Sequence, residues 1–199
     1  MLESRHELPR RSARTQGAEA SEVRLIALIE SGDRAAFAQL YRAYFPRLAR
    51  FLDRMTRNPT LIEEIVNDTL LVVWQRAASF NHSSKVSTWI FAIAYRKALK
   101  AIHTLDEPVE ADFELEPGAV DHEPEYALSL QQLQQQVAGA LDALPPVQRS
   151  VVNLAYYHGM GYDEIAAIMD CPVNTVKTRM FNARARLRVL LAGPLEVNL

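Results

Sequence analysis

Asn174, Lys177, Thr178, Phe181 and Asn182 recur at helical spacing, and Arg184, Arg186 and Arg188 follow them. Amides, a hydroxyl and a ring on one helical face, with guanidiniums beyond, suit contact with base edges and phosphates. On the opposite side of the same stretch, Val173, Val176, Met180, Ala183, Leu187 and Leu190 form one apolar stripe. The residues leading in, Gly161-Tyr162-Asp163-Glu164-Ile165-Ala166-Ala167-Ile168-Met169, read as a shorter helix that buries Ile165, Ala166 and Ile168. Asp170-Cys171-Pro172 breaks it, and Pro172 suits the start of a second helix, where a missing N–H is not needed. Such a helix-turn-helix is built to enter a DNA major groove. A helical hairpin with a solvated basic face is the plainer alternative, but Phe181 on the polar side has no structural use there.

A second group lies earlier. Phe80-Asn81-His82-Ser83-Ser84-Lys85-Val86-Ser87-Thr88-Trp89 precedes a helix over 90–102, in which Ile90, Ala94, Ala98 and Ile102 must face inward. Trp89, Arg96, Lys100 and His103 fall on another side, with Lys97 adjacent. Rings beside cations suit single-stranded nucleic acid, because bases stack on the rings while the cations hold the backbone. Stacking is worth about 1–3 kcal/mol per base, comparable with the few kcal/mol needed to extrude one. A core tryptophan is the competing assignment for Trp89, and by itself it would prevail. Phe80 and Lys85 beside it favour function.

A third surface is the helix expected over 61–78, where Glu64, Asn67, Asp68, Leu71 and Gln75 share one face opposite Ile62, Ile65, Val66, Thr69 and Val73. Carboxylates mixed with Leu71 and Trp74 suit a protein-docking face. Spacing alone does not choose between that and a solvated acidic face.

The elements that position these groups are all helical, with no strand signal and no internal repeat. Residues 1–20 show no periodicity and read as an arm, carrying Arg5, Arg10, Arg11 and Arg14. Residues 21–103 form a first helical domain, with breaks at Ser31-Gly32-Asp33, Asn58-Pro59 and Asn81-His82-Ser83-Ser84. Residues 104–124 hold Pro108, Pro117, Pro124 and many carboxylates, which is linker composition. A second helical domain follows over 125–192, then a short tail over 193–199. Charge follows these divisions: residues 1–100 carry +6, 101–148 carry −10 and 149–199 carry +2. Two positive modules flanking an acidic middle suggest a polyanion partner.

Composition excludes several classes. No apolar run has membrane-spanning length and no secretory leader is visible, so a cytoplasmic setting is expected. The single cysteine, Cys171, excludes an intrachain disulfide, and the five histidines are scattered. No metal or cofactor is expected. Nor is catalysis, since no nucleophile motif or Gly-rich phosphate loop accompanies the paired acids.

Two segments resemble the extracytoplasmic-function sigma factors of bacterial RNA polymerase. Glu64-Ile65-Val66-Asn67-Asp68-Thr69-Leu70-Leu71-Val72-Val73-Trp74, continuing through Phe80 to Trp89-Ile90-Phe91-Ala92-Ile93-Ala94, is similar to sigma region 2. Leu144-Pro145, continuing through Gly161-Tyr162-Asp163-Glu164-Ile165-Ala166 to Arg188, is similar to region 4. The resemblance implies an all-α protein of two small domains that binds core polymerase and directs it to promoters. Glu64, Asn67, Asp68, Leu71 and Trp74 would dock on the clamp helices of the largest core subunit. Phe80, Asn81, Lys85, Ser87, Thr88, Trp89, Arg96, Lys97 and Lys100 would read and open the −10 element. Asn174, Thr175, Lys177, Thr178, Arg179, Phe181, Asn182 and Arg184 would contact the −35 element. An anti-sigma factor is the implied regulator, and the acidic linker would occupy polymerase channels meant for nucleic acid. The chain departs from the family pattern at Arg96, where Asn is common, and at Asn182, where Arg is common, so promoter sequence does not carry over. A sigma mimic that titrates an anti-sigma protein would not need basic DNA-facing surfaces, and an ordinary helix-turn-helix regulator would not need the first domain.

Overall fold

The computed structural model describes residues 13–105 and 125–192, and among these every regular element is a helix. Helix α1 spans Ala13–Glu30, α2 Arg34–Asp53, α3 Pro59–Gln75 and α4 Val86–Leu105. The second half contributes α5 Glu125–Asp142, α6 Pro146–Tyr156, α7 Tyr162–Met169 and α8 Val173–Ala192. Of the stretch read as a linker over 104–124, the first two residues belong to α4, and 106–124, like residues 1–12 and 193–199, lie outside the described residues.

Local chemistry explains most of the boundaries. Gly32 adopts φ of 87° in the α1–α2 turn, a conformation that disfavours side chains. Asp33 then caps α2, its Oδ1 accepting from the backbone N–H of Ala35 at 2.7 Å and of Ala36 at 3.0 Å. Asn58 caps α3 by accepting from Leu61 N–H at 3.1 Å, and Pro59 occupies the first turn. Three boundaries differ from expectation, the first being α4, expected over 90–102 but running from Val86 to Leu105, so that Ser87, Thr88 and Trp89 lie in its first turn and not in a loop. Helix α1 begins at Ala13, inside the stretch read as an arm, where Ala13, Ala18 and Ala20 favour helix and Ser21 Oγ donates to the Gly17 carbonyl at 2.9 Å. The helix expected to reach residue 78 stops at Gln75, and a single 3-10 turn over Ala77–Ser79 follows, which drops Ala77 and Phe80 into the core.

The apolar stripes bury along most of their length, but Ile102 of α4 is only half-buried and Leu190, at the end of the α8 stripe, is 41% exposed because the last turns of α8 run past the core. Leu40, Tyr44, Leu48, Phe51 and Leu52 of α2 are wholly buried, as are Val66 and Val73 of α3 and Ile90, Phe91, Ala94 and Ala98 of α4. Each large apolar side chain removed from water contributes about 1.5–3 kcal/mol. In the second half Val151 and Leu154 of α6, Ile165 and Ile168 of α7, and Val176 and Ala183 of α8 are equally buried. The two halves are not separate beads. The most extensive contact between helices is that of α4 with α7, and one apolar cluster runs through both halves.

Candidate nucleic-acid interface

Helices α7 and α8 form the helix-turn-helix. Asp170 ends α7 in the left-handed region (φ 50°), and its N–H donates to the Ala166 carbonyl. The Pro172 carbonyl accepts from Thr175 N–H at 2.9 Å and Val176 N–H at 3.3 Å, so Pro172 opens α8 although it lies one residue before the helix. At the front of α7, Glu164 reaches back and its Oε2 accepts from Gly161 N–H at 2.9 Å. With Val176, Met180 and Ala183 anchored inward, Asn174, Lys177, Thr178, Phe181 and Asn182 all face solvent. Phe181 is 72% exposed, which no packing requirement explains. Thr175 and Arg179 are half-buried. Arg179 is turned towards the inter-helix turn, 3.5 Å from Cys171 Sγ.

Arg184 is also exposed but not free. Its Nε and Nη2 donate to the Tyr156 hydroxyl at 3.2 and 2.9 Å, and the guanidinium lies 5.9 Å from the centre of that ring. Tyr156, 62% exposed at the end of α6, was not evident from spacing alone. The signal available was a tyrosine pair, Tyr156-Tyr157, ending the helix just before the helix-turn-helix.

The loop before α4 is tied down locally. Asn81 Oδ1 accepts from Ser83 N–H at 3.1 Å and from Ser83 Oγ at 2.6 Å, and His82 takes a positive φ of 59°. Two of the expected nucleic-acid contacts are buried. Phe80 is 6% exposed because its ring packs 5.4 Å from Trp89 and 4.7 Å from His82. Thr88 is 2% exposed because it points at α7. Lys85, Ser87 and Trp89 are half-buried, while Asn81, Arg96 and Lys100 are exposed. Trp89 keeps one side open. It shares a pocket of about 380 Å³ with Gln75, Arg76, Ser79, Arg96 and Lys97. Arg76 and Ser79 are the members that sequence reasoning passed over, since nothing in their spacing ties them to Trp89.

On α3, Glu64, Asn67, Asp68 and Leu71 are exposed together. Leu71 is 49% exposed beside the half-buried Trp74, whose ring meets Phe37 at 5.1 Å. Arg34, Phe37, Leu71 and Trp74 line a shallow apolar groove. Asn67 Oδ1 accepts from the Tyr41 hydroxyl at 2.9 Å, and Asp68 pairs with Lys97 of α4 at 2.8 Å. That pair joins the α3 face to the α4 face.

This order of surfaces recurs in known proteins. Residues 40–107 match the family described as sigma-70 region 2, and residues 134–187 match sigma-70, region 4. The chain is 32% identical over 165 residues to the ECF RNA polymerase sigma factor RpoE of Cereibacter sphaeroides, covering 81% of this chain and 90% of that protein. It belongs to the extracytoplasmic-function sigma factors. As a sigma factor it binds core RNA polymerase and directs promoter recognition and transcription initiation. Among solved structures, the sigma factor RpoE in complex with the anti-sigma factor NepR from Bartonella quintana is 26% identical, with a TM-score of 0.55 over 79% of this chain and 97% of that one. CnrH in complex with the cytosolic domain of CnrY shares the fold at 24% identity and a TM-score of 0.63, over 86% of this chain and 97% of that one.

The contacts between the halves of this sigma factor were not anticipated from sequence. Asn153 Nδ2 of α6 donates to the Phe51 carbonyl at 3.2 Å, and Arg149 Nη1 donates to the Arg54 carbonyl at 3.4 Å. Asp142, closing α5, pairs with Arg57 and lies 3.9 Å from Arg54. His158, in the turn after α6, meets Phe91 at 4.8 Å and Phe51 at 5.9 Å between ring centres. Burial, with Arg47 and Arg50 adding repulsion, holds the His158 imidazole down at about 4. Tyr95 of α4 is buried near Cys171 and Arg179, and its hydroxyl is pushed up chiefly by that burial. Among the described residues, no cluster of His, Cys, Asp and Glu could hold a metal, and no helix is long and apolar enough to cross a membrane.

Proposed function

We propose that α8 of this sigma factor reads the −35 element through Asn174, Lys177, Thr178, Phe181 and Asn182, with Thr175 and Arg179 at the backbone. The observation that supports this most is the solvent-facing Phe181 set among amides and cations on a helix whose other side is anchored by the buried Val176, Met180 and Ala183. A ring there can meet thymine methyl groups while amides meet adenine. Arg184 approaches phosphate with Tyr156 as its brace. The pocket beside Trp89, rimmed by Arg96 and Lys97, receives an unpaired base of the −10 element, and Lys100 follows the backbone. The groove at Leu71 and Trp74, with Glu64, Asn67 and Asp68 around it, docks on the largest core subunit.

On this reading the boundaries fall at about residues 21–103 for core and −10 binding and 125–192 for −35 binding. The protein acts without catalysis of its own, in the cytoplasm where polymerase and chromosome meet. The Bartonella relative, captured with an anti-sigma factor, supports regulation of this chain by a protein of that kind. Assembly tests the docking face. Leu71→Glu should abolish co-elution of the chain with core polymerase at salt concentrations where wild type remains bound. Co-elution of the variant at wild-type yield would overturn the assignment.

A further inference from the structure

We propose that the pocket beside Trp89 takes guanine in preference to the other bases, because Arg76, at the end of α3, reads the edge of the base that stacks there. The inference rests on the assignment of that pocket to the −10 element, and adds which base it takes and which residue chooses it.

Trp89 supplies the stacking surface. Phe80 backs its ring at 5.4 Å, and the pocket of about 380 Å³ on its open side has room for a purine. From α4 come Arg96 and Lys97, and Lys100 follows Arg96 one turn on, so α4 lays cations along the course a backbone would take. Arg76 reaches the same space from α3. Its main chain is held on both sides. The Arg76 N–H donates to the Val72 carbonyl at 2.9 Å, and the Arg76 carbonyl accepts from Ser79 N–H at 2.9 Å and Ser79 Oγ at 2.7 Å. The exposed side chain therefore starts from a fixed root. Among the described residues, neither Arg76 nor Arg96 has an ion pair or a side-chain hydrogen bond, whereas Lys97 is engaged by Asp68 at 2.8 Å. No carboxylate lines the pocket.

That lining decides the base. A guanidinium fork is matched by two acceptors side by side, which guanine offers at O6 and N7. Adenine sets an amine beside N7, so a donor meets a donor, and thymine sets a methyl group beside O4. An exocyclic amine placed here finds no carboxylate to receive it. Cytosine has adjacent acceptors at N3 and O2, but its single ring covers less of the indole than a purine does, and stacking strength sets the order between them. Gln75 is the rival reader, since an amide suits adenine. Two guanidiniums without partners outweigh it, because they favour the edge that carries oxygen.

The test uses holoenzyme assembled from core polymerase and the full chain, transcribing a DNA pool randomised across the −10 element, with the promoters that yield transcripts then sequenced. Wild type should enrich guanine over adenine about tenfold at one −10 position. Arg76→Gln should abolish that enrichment or turn it to adenine, and leave the other positions as they were. Arg96→Ala should lower the yield across all sequences while keeping the guanine, as expected of a backbone contact. Both side chains are exposed, so neither substitution disturbs the core. Adenine or cytosine enriched at that position, no guanine-enriched position at all, or guanine retained by Arg76→Gln would overturn the proposal. The two levels separate cleanly. Arg96→Ala at wild-type yield would take down the pocket assignment and the inference with it. A lowered yield in Arg96→Ala beside retained guanine in Arg76→Gln would strike Arg76 alone.

Discussion

The two surfaces proposed to meet nucleic acid in this sigma factor are presented in opposite ways. On α8 the reading groups stand in solvent on a helix whose other side is locked into the core. At the start of α4 the corresponding groups are partly sunk, with Thr88 and Phe80 buried and Lys85 engaged by Glu164. Duplex major-groove reading needs a rigid, protruding helix that alters little on binding. Capturing an unpaired base needs a pocket and an opening event, so part of that surface can be held in reserve. The same residue types are therefore displayed on one surface and partly covered on the other.

Two phenylalanines sharpen the contrast most. Phe80→Ala should destabilise the fold by about 3–5 kcal/mol in chemical denaturation, as expected for a buried ring. Phe181→Ala should leave stability within about 0.5 kcal/mol while lowering initiation at a −35-dependent promoter about tenfold or more. Equal stability losses for the two would erase the distinction between an anchored ring and a presented one.

Base preference is the next effect in size. Asn favours adenine and Arg favours guanine at a bidentate site, each by about 1–3 kcal/mol over the wrong base. Asn182→Arg should therefore move selected −35 sequences from A to G at one position, as read by sequencing promoters enriched from a random pool. Identical preferences would remove Asn182 from the base-reading set.

The interface between the halves gives a pH dependence. His158 is held at about 4 between the halves and returns towards its ordinary 6.5 once they part. The parted state then binds more protons, so docking is at full strength above about pH 6.5 and weakens as pH falls from there towards 4. Of the groups around the ring, Arg47 and Arg50 stay charged throughout and Phe51 and Phe91 do not titrate. The inter-half distance should lengthen on going from pH 7.5 to 5, and His158→Phe should flatten that response. The smallest effect is at Lys177. Lys177→Ala should lower the slope of log affinity against log salt by about 0.9, one phosphate's worth, with specificity unchanged.

The helix-turn-helix was legible almost in full, because α8 obeys a strict periodicity: every stripe residue from Val176 to Ala183 is buried and every reading residue between them is exposed or half-exposed. The α3 face was equally plain as a pattern, though spacing could not tell docking from solvation. The α4 edge was not. Phe80 looked like a loop aromatic, but the helix expected to run on to residue 78 ends at Gln75, and the 3-10 turn that replaces it rotates the ring inward. The contacts of Glu164, Asn153 and His158 join residues 67 to 107 positions apart in sequence, and no local periodicity encodes them. Glu164 in particular satisfies its local role as a cap, which conceals its second role.

The central claim is that these two surfaces work together once mounted on polymerase. Mapping the 5′ ends of transcripts made by core enzyme plus this chain tests it most directly. The account predicts discrete starts downstream of paired −35 and −10 elements, lost together with Phe181→Ala or with Arg96→Ala. Random starts, or none above core enzyme alone, would contradict it.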